Sequence, residues 1–398
     1  MSQLQQAYIV AATRSPMAKA PRGAFRHTRP DELLATVMNG LLDKVPNLDH
    51  TAVEDALVGC AIPEGPQGFN VARIGVLLSR LPHTVGGITV NRFCASGLSA
   101  IAMAADRIRT GEADVLIAAG TESMSQVPLI GVNTSFSPAI FTRDENIGIA
   151  YGMGLTAEQV ARQWQVSRED QDAFAYASHQ KALAAQQQGE FDDELLPIEV
   201  HHRIPDLATG QIKVHTQRVA QDEGPRADTS LEALAKLRPV FAARGSVTAG
   251  NSSQMSDGAG AVLVVSERAL KTHSLTPLAR YVTSAVRGVP PEIMGIGPKE
   301  AIPVALKQAG LQLSQLDWIE LNEAFAAQAL AVIRDVGLDP ERVNPLGGAI
   351  ALGHPLGATG VMRAATVVHA LQRHQLRYGM LTMCVGTGMG MAGIFERV

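Results

Sequence analysis

The chain has 398 residues, 46% hydrophobic and 18% charged, enough apolar material for a large buried core and too ordered a composition for disorder. Lys and Arg number 34 against 38 Asp and Glu, a net charge of -4, and aromatics make up 4%, which argues against a nucleic-acid surface. Three cysteines without metal-like spacing point to neither a disulfide framework nor a zinc site, and no apolar run reaches the ~18 residues of a membrane span, so a soluble cytosolic protein of more than one unit is expected.

Tyr8 to Ala12 reads as a strand, and Gly87 to Val90 and Asp114 to Ala119 flank a helical stretch in a βαβ pattern. Between Ser96 and Thr110 the apolar positions Leu98, Ile101, Ala105 and Ile108 recur at helical spacing, and Gly111 can end the helix in a left-handed conformation. Residues 122–246 read as an insertion. One of its helices starts at Ser167, with Asp170 in a capping-box-like position, and runs to about Gln188, before Gly189. The passage from Asp192 to Ser230 is polar and turn-rich with little strand signal. The βα pattern resumes at Ser246. Cys94 to Thr121 and Gly353 to Thr387 each run from a Gly-rich turn through an amphipathic helix into a short apolar strand, a weak internal repeat. The second copy places Val361, Ala364, Ala365, Val368 and Leu371 on one helix face, with Met380 to Val385 as its strand. The expected fold is therefore an α/β protein with a duplicated, layered core. Its first half is 1–121 completed by about 247–272, its insertion 122–246, and its second half 273–398.

Four motifs could carry chemistry. Cys94, in Asn91-Arg92-Phe93-Cys94-Ala95-Ser96-Gly97, sits at a strand-to-helix elbow, where unpaired amides and the helix dipole would lower a thiol pKa and make it a nucleophile; the plain alternative is a buried structural cysteine. His354, in a glycine-dense turn from Gly347 to Gly360, is either a base for that thiol or a hydrogen-bonded loop histidine. Cys384 ends a strand before Val385-Gly386-Thr387-Gly388 and is either a proton carrier beside glycine amides or a core cysteine. Asn322, between the strand-like Trp318 to Leu321 and a helix running towards Val336, is either an N-cap or an amide that holds a water at an oxyanion site.

Taken together, N-R-x-C-A-S-G, N-E-A-F, G-G-A-I-A-L-G-H-P-x-G-A-T-G and C-x-G-x-G-M-G, in that order, resemble the thiolase family over essentially the whole chain. The resemblance implies a thiolase-like α/β/α/β/α core of two related halves and a loop domain covering coenzyme A. It implies ping-pong acyl transfer: Cys94 is acylated, His354 takes its proton, and Cys384 is acid and base at the carbon α to the thioester. Asn322 holds a water that works with His354 at one oxygen, and the N-H groups of Cys94 and Gly386 form a second oxyanion hole. For the acyl-CoA it implies contacts from Arg226, Ser253, Met153, Phe241 and Phe325. Coenzyme A is a co-substrate; no permanently bound cofactor and no metal are implied. A homodimer or homotetramer is implied, with a hydratase/dehydrogenase subunit of β-oxidation as a further partner.

Gly152, where acetoacetyl-specific relatives often carry His, makes the chain look more like a degradative 3-ketoacyl-CoA thiolase than a biosynthetic acetoacetyl-CoA thiolase. Gln254 and Thr387 replace frequent glycines, and Leu346 stands where many relatives have Asn or His. Cys384 and the N-E-A-F block argue against a decarboxylating ketoacyl synthase. The intact Cys, His and Asn positions argue against a non-catalytic acyl-CoA or lipid carrier.

Overall fold

The structure, a computed structural model, describes residues 4–398. Its strands are β1 (Ala7–Arg14), β2 (Ala18–Lys19), β3 (Asp55–Gly59), β4 (Ile88–Val90), β5 (Val115–Ser123), β6 (Ile198–Asp206), β7 (Gln211–Val219), β8 (Ser256–Ser266), β9 (Ala279–Gly288), β10 (Trp318–Leu321), β11 (Tyr378–Val385) and β12 (Met389–Arg397). The helices are α1 (Pro30–Asp43), α2 (Val71–Leu78), α3 (Ser96–Arg109), α4 (Met153–Gln163), α5 (Arg168–Gln187), α6 (Leu231–Ala235), α7 (Glu267–Thr272), α8 (Gly297–Ala309), α9 (Ala326–Val336), α10 (Ala349–Leu352) and α11 (Leu356–Arg373). Ser167 caps α5 by accepting from the Asp170 amide at 3.1 Å, and Gly111 beyond α3 has φ +76. Among the described residues no helix is long and apolar enough to cross a membrane.

The strands order as β10-β11-β12-β9-β1-β8-β5-β3-β4, with β2 on β8. The seam between halves is thin: β1 and β9 pair only through Tyr8 with Arg280 and Ile9 with Ala279. Side chains alternate across a strand, and β5 shows what this does. Val115, Ile117 and Ala119 join an outer cluster with α1, whereas Leu116 and Ala118 join a central cluster with α3 and α11. On β11, Leu381 and Met383 face the central cluster and Met380 faces a third one with α8 and α9. Three apolar clusters between five layers make the α/β/α/β/α sandwich.

The two repeat helices meet in the central layer. A Cβ on Gly360 would stand 2.2 Å from the Leu98 amide nitrogen and one on Gly97 2.7 Å from that of Val361, so both positions admit only glycine at this separation. This corrects the one-faced pattern expected for the second helix. From Leu356 to Val368 every α11 residue is buried, because sheet lies on two sides and α3 on a third.

A second correction concerns Asp192 to Ser230, which holds a β-hairpin, β6 with β7, apart from the main sheet. On β6 only Ile198, Val200 and His202 turn inward, and β7 is exposed from Gln211 to Arg218. Most of the hairpin has no core face, so no apolar alternation marks it in the sequence. The neighbouring segments are tied to β1 by Arg14, fully buried between Glu194 at 2.6 Å and Asp222 at 2.7 Å.

Candidate active site

The elbow after β4 is built by short side chains. Asn91 Oδ1 accepts from the Phe93 amide at 2.8 Å, and Ser96 Oγ accepts from the Arg92 amide at 2.8 Å while donating to the Phe93 carbonyl at 2.7 Å. These bonds close one tight turn over Phe93–Ala95, with Phe93 at φ +43. Cys94 is thereby held beside Ala61 and Leu356, with 6% of its surface exposed. The backbone N-H groups of Gly386 and of Cys94 itself lie near the sulfur and favour its thiolate. The low thiol pKa expected from the elbow is corrected: burial pushes it up to about 11, outweighing both amides. The resting thiol is protonated.

Cys384 arrives from the other half, near the end of β11, before a turn in which Thr387 has φ +68 and Gly388 φ +92. A left-handed φ at position 387 explains why glycine is frequent there; threonine tolerates it at a cost of roughly 1 kcal/mol. Cys384 is fully buried with Met294, Ala324 and Phe325. Burial first, and then the charge of Cys94, hold its thiol far above the ordinary range. The charge of Cys94 acts on Cys384, so the fold brings the two cysteines near one another although 290 residues separate them.

His354 follows Gly353, whose φ of +119 only glycine adopts readily, and its own amide donates to Ser256 Oγ at 3.1 Å. Nδ1 lies 2.7 Å from Thr359 Oγ1, and Nε2 lies 3.4 Å from Asn322 Nδ2. With the amide nitrogen facing Nε2, the matching tautomer carries its proton on Nδ1 and leaves the Nε2 lone pair to accept from Asn322. Burial lowers the imidazole to about 4, so it is neutral near pH 7. Asn322 is not an N-cap, which corrects that alternative: α9 starts later, with Phe325 as its cap residue. The Asn322 amide donates to the Thr382 carbonyl at 2.9 Å, and buried Oδ1 has no partner among the described residues.

The residues expected to touch acyl-CoA fall into two groups. Arg226, exposed and paired with Asp228 at 2.9 Å, lines a cavity of about 320 Å³ with Lys19, His179, Gln254 and Ile350. Met153, at the start of α4, packs with Phe325 against Cys384, and Phe241 meets the Phe325 ring edge-on at 6.1 Å. Ser253 bridges the groups, its amide donating to the Ala324 carbonyl at 2.9 Å. Two residues escaped the sequence reading. Gln254, noted there only as a departure from glycine, donates to the carbonyls of Gly224, Ile350 and Ala351 at 3.0 to 3.1 Å and joins the cavity wall to the His354 loop. Thr359 was readable in principle, since it stands five residues after His354, one turn into the following helix. Leu346 is a core residue packed in the central cluster.

Residues 7–268 match the sequence family described as Thiolase, N-terminal domain, and residues 275–397 that described as Thiolase, C-terminal domain. The chain is 48% identical to a 3-ketoacyl-CoA thiolase of Bacillus subtilis over 99% of its own length and 100% of the relative's. Among solved structures it is similar to the Bacillus anthracis acetyl-CoA acetyltransferase, with a TM-score of 0.90 at 36% identity, and to human mitochondrial 3-ketoacyl-CoA thiolase, with 0.88 at 37%. Both alignments cover 100% of each chain.

Proposed function

Because the chain belongs to the thiolase family, we propose that the pocket around Cys94 cleaves a 3-ketoacyl-CoA with coenzyme A to acetyl-CoA and a shortened acyl-CoA. The protein is an acyltransferase of the 3-ketoacyl-CoA thiolase type. The reading is supported most by one observation, that Cys94 lies near enough to Cys384 and to the Gly386 N-H for each to act on a thiol.

The Cys94 sulfur attacks the C3 carbonyl carbon while Nε2 of His354 takes the thiol proton. A neutral imidazole of about 4 beside a thiol of about 11 leaves almost no preformed thiolate, so attack and proton transfer proceed together. The Cys94 and Gly386 amides hold the resulting oxyanion, since the carbonyl oxygen develops charge next to the sulfur they already reach. Collapse breaks the bond between C2 and C3, leaving an acyl-cysteine and the enolate of acetyl-CoA. The enolate oxygen is held by His354 together with a water on Asn322, and the Cys384 thiol delivers a proton to its carbon. Cys384, held protonated by burial, suits that task. Acetyl-CoA leaves; a coenzyme A thiol then passes its proton to the Cys384 thiolate and attacks the acyl-cysteine, and the Cys94 sulfur departs and retakes its proton from His354, releasing the shortened acyl-CoA and restoring all three groups.

Coenzyme A is bound with its nucleotide toward Arg226 and the cavity beside it, and its pantetheine runs past Ser253 to the Met153, Phe241 and Phe325 wall. The degradative reading takes acyl chains longer than acetoacetyl, and the likeness to 3-ketoacyl-CoA thiolases supports it. The biosynthetic direction uses the same residues and is favoured by the likeness to an acetyl-CoA acetyltransferase structure. Thiolysis rates across ketoacyl chain lengths distinguish the two, since a fall to nothing beyond four carbons defeats the degradative reading. The covalent step is tested by intact mass and peptide mapping after exposure to acetoacetyl-CoA. An acyl adduct on Cys94 is expected, and an adduct confined to Cys60, or full turnover by Cys94→Ala, overturns the assignment.

The assembly we favour is a homodimer through β4, in the cytosol. β4 is an edge strand, and Phe69, Leu77, Leu78 and Ile88 are exposed on and beside it.

A further inference from the structure

The His354 loop, Gly347 to Gly357, is poor in large side chains, yet the imidazole must be placed to within a fraction of an ångström for proton transfer. Backbone contacts hold it. At its far end the Gly357 amide donates to Glu122 Oε2 at 2.9 Å, and the same carboxylate accepts from the Ala61 amide at 2.7 Å, the Ile62 amide at 3.3 Å and the Gln67 side-chain amide. Ala61 belongs to the cluster that contains Cys94 and Leu356, so Glu122 joins the wall of the nucleophile to the start of α11. At its near end the Ile350 amide donates to Glu323 Oε2 at 3.1 Å, and Glu323 also accepts from Ser178 Oγ at 2.7 Å and Asn344 Nδ2 at 2.8 Å. Each carboxylate is 1% exposed, and every one of these partners is neutral.

A buried carboxylate whose hydrogen-bond partners are all neutral is expensive, and at Glu323 only the Arg363 charge, not in direct contact, offsets part of that cost. What such a carboxylate supplies is an acceptor that takes several N-H groups at once through charge-assisted bonds, which a glutamine cannot do because its NH2 end would face donors. Glycine makes both approaches possible. A Cβ at Gly348 would stand 2.1 Å from Glu323 Cδ, and one at Gly357 2.5 Å from the Ala61 nitrogen. We propose that Glu122 and Glu323 are positioning residues, which grip the two ends of the His354 loop through the amides of Gly357 and Ile350 and fix the imidazole relative to Cys94. The two are not equivalent: Glu122 also lies near enough to Cys94 for its charge to help hold that thiol up, and Glu323 does not act on it.

The proposal rests on the thiolase reading, and the test separates the two. Full-length Glu122→Gln and Glu323→Gln are compared with the parent in single-turnover acylation of Cys94 by acetoacetyl-CoA, in steady-state thiolysis, and in hydrogen exchange of peptides covering residues 345–360. Each variant is expected to lose about 10-fold or more in acylation rate and kcat. KM should stay within about two-fold, and amide exchange should rise in the loop while the rest of the chain keeps its protection. The pH profile of Cys94 alkylation should move to lower pH in Glu122→Gln alone, a shift that a purely structural role would not produce. Parent-like acylation in a folded variant, or reduced kcat with unchanged loop protection, overturns the proposal. If Glu122→Gln does not fold, Glu323→Gln decides by the same readouts; failure of both to fold assigns the carboxylates to the fold and equally overturns it. A parent that never acylates Cys94 defeats the reaction instead, and the loop exchange still reads out.

Discussion

Replacing Thr359 by Val removes one hydroxyl from a fully buried position and leaves shape almost unchanged. That hydroxyl is 2.7 Å from His354 Nδ1 and is the contact that keeps the ring proton there. Without it, Nδ1-H is buried and unpartnered at a cost of ~1–3 kcal/mol. The ring has an escape, because Asn322 Oδ1 is unpartnered and a rotated amide would accept from Nε2-H. Escape moves the proton onto the nitrogen that, in the proposed reaction, accepts one from Cys94. The reactive tautomer then has to be recovered against that ~1–3 kcal/mol, equivalent to about 5- to 150-fold in rate. Thiolysis of acetoacetyl-CoA by Thr359→Val should show kcat lowered by that factor with KM unchanged, and 15N NMR of the ring should report the Nε2-H form. Thr359→Ser, which keeps the oxygen, should recover most of the rate. A folded Thr359→Val with parent kcat, or a Ser variant as slow as the Val variant, refutes the tautomer argument.

The raised thiol predicts slow alkylation of Cys94. At pH 8 a thiol of about 11 is ionised to ~0.1%, against roughly a quarter for a free cysteine, so iodoacetamide should react about 200-fold more slowly and accelerate up to pH 11. A profile with its midpoint near 8 would contradict the burial argument. For the assembly, Ile88→Asp places a charge on the β4 edge and should convert a dimer to a monomer in sedimentation; an unchanged mass removes β4 from the interface.

The candidate site residues each stand in a dense local motif, and the strands and helices that carry them were legible for that reason. β5 and α3 announce themselves through period and through Gly111. What no local pattern encodes is which elements meet. Nothing around Tyr8 says that β1 pairs with β9 across the seam, and nothing in α11 distinguishes a helix with one buried face from one enclosed by two sheets. The hairpin β6–β7 was missed for the opposite reason, since its exposed strand carries no burial signature at all. The thiol pKa failed because the elbow predicts the donors correctly but is silent on how completely Cys94 is covered.

That failure bears on how the site works. Buried thiols and a neutral imidazole mean that the three proton-carrying groups are uncharged before substrate arrives. A pocket with a preformed thiolate and imidazolium would have to desolvate both ions permanently. Here charge appears only as bonds change, and the groups that meet it are already in place: the Cys94 and Gly386 amides at the sulfur, and His354 and Asn322 across the pocket. Such an arrangement stabilises the transition state more than the empty site, provided that the donors do not drift. The sulfur-facing amides lie on an elbow closed by Asn91 and Ser96 and on the turn after β11, and neither turn can relax without breaking its own hydrogen bonds or leaving its left-handed φ. On the proposed reaction, rigid turns around neutral acids are therefore the physical basis on which two remote cysteines would act as one site.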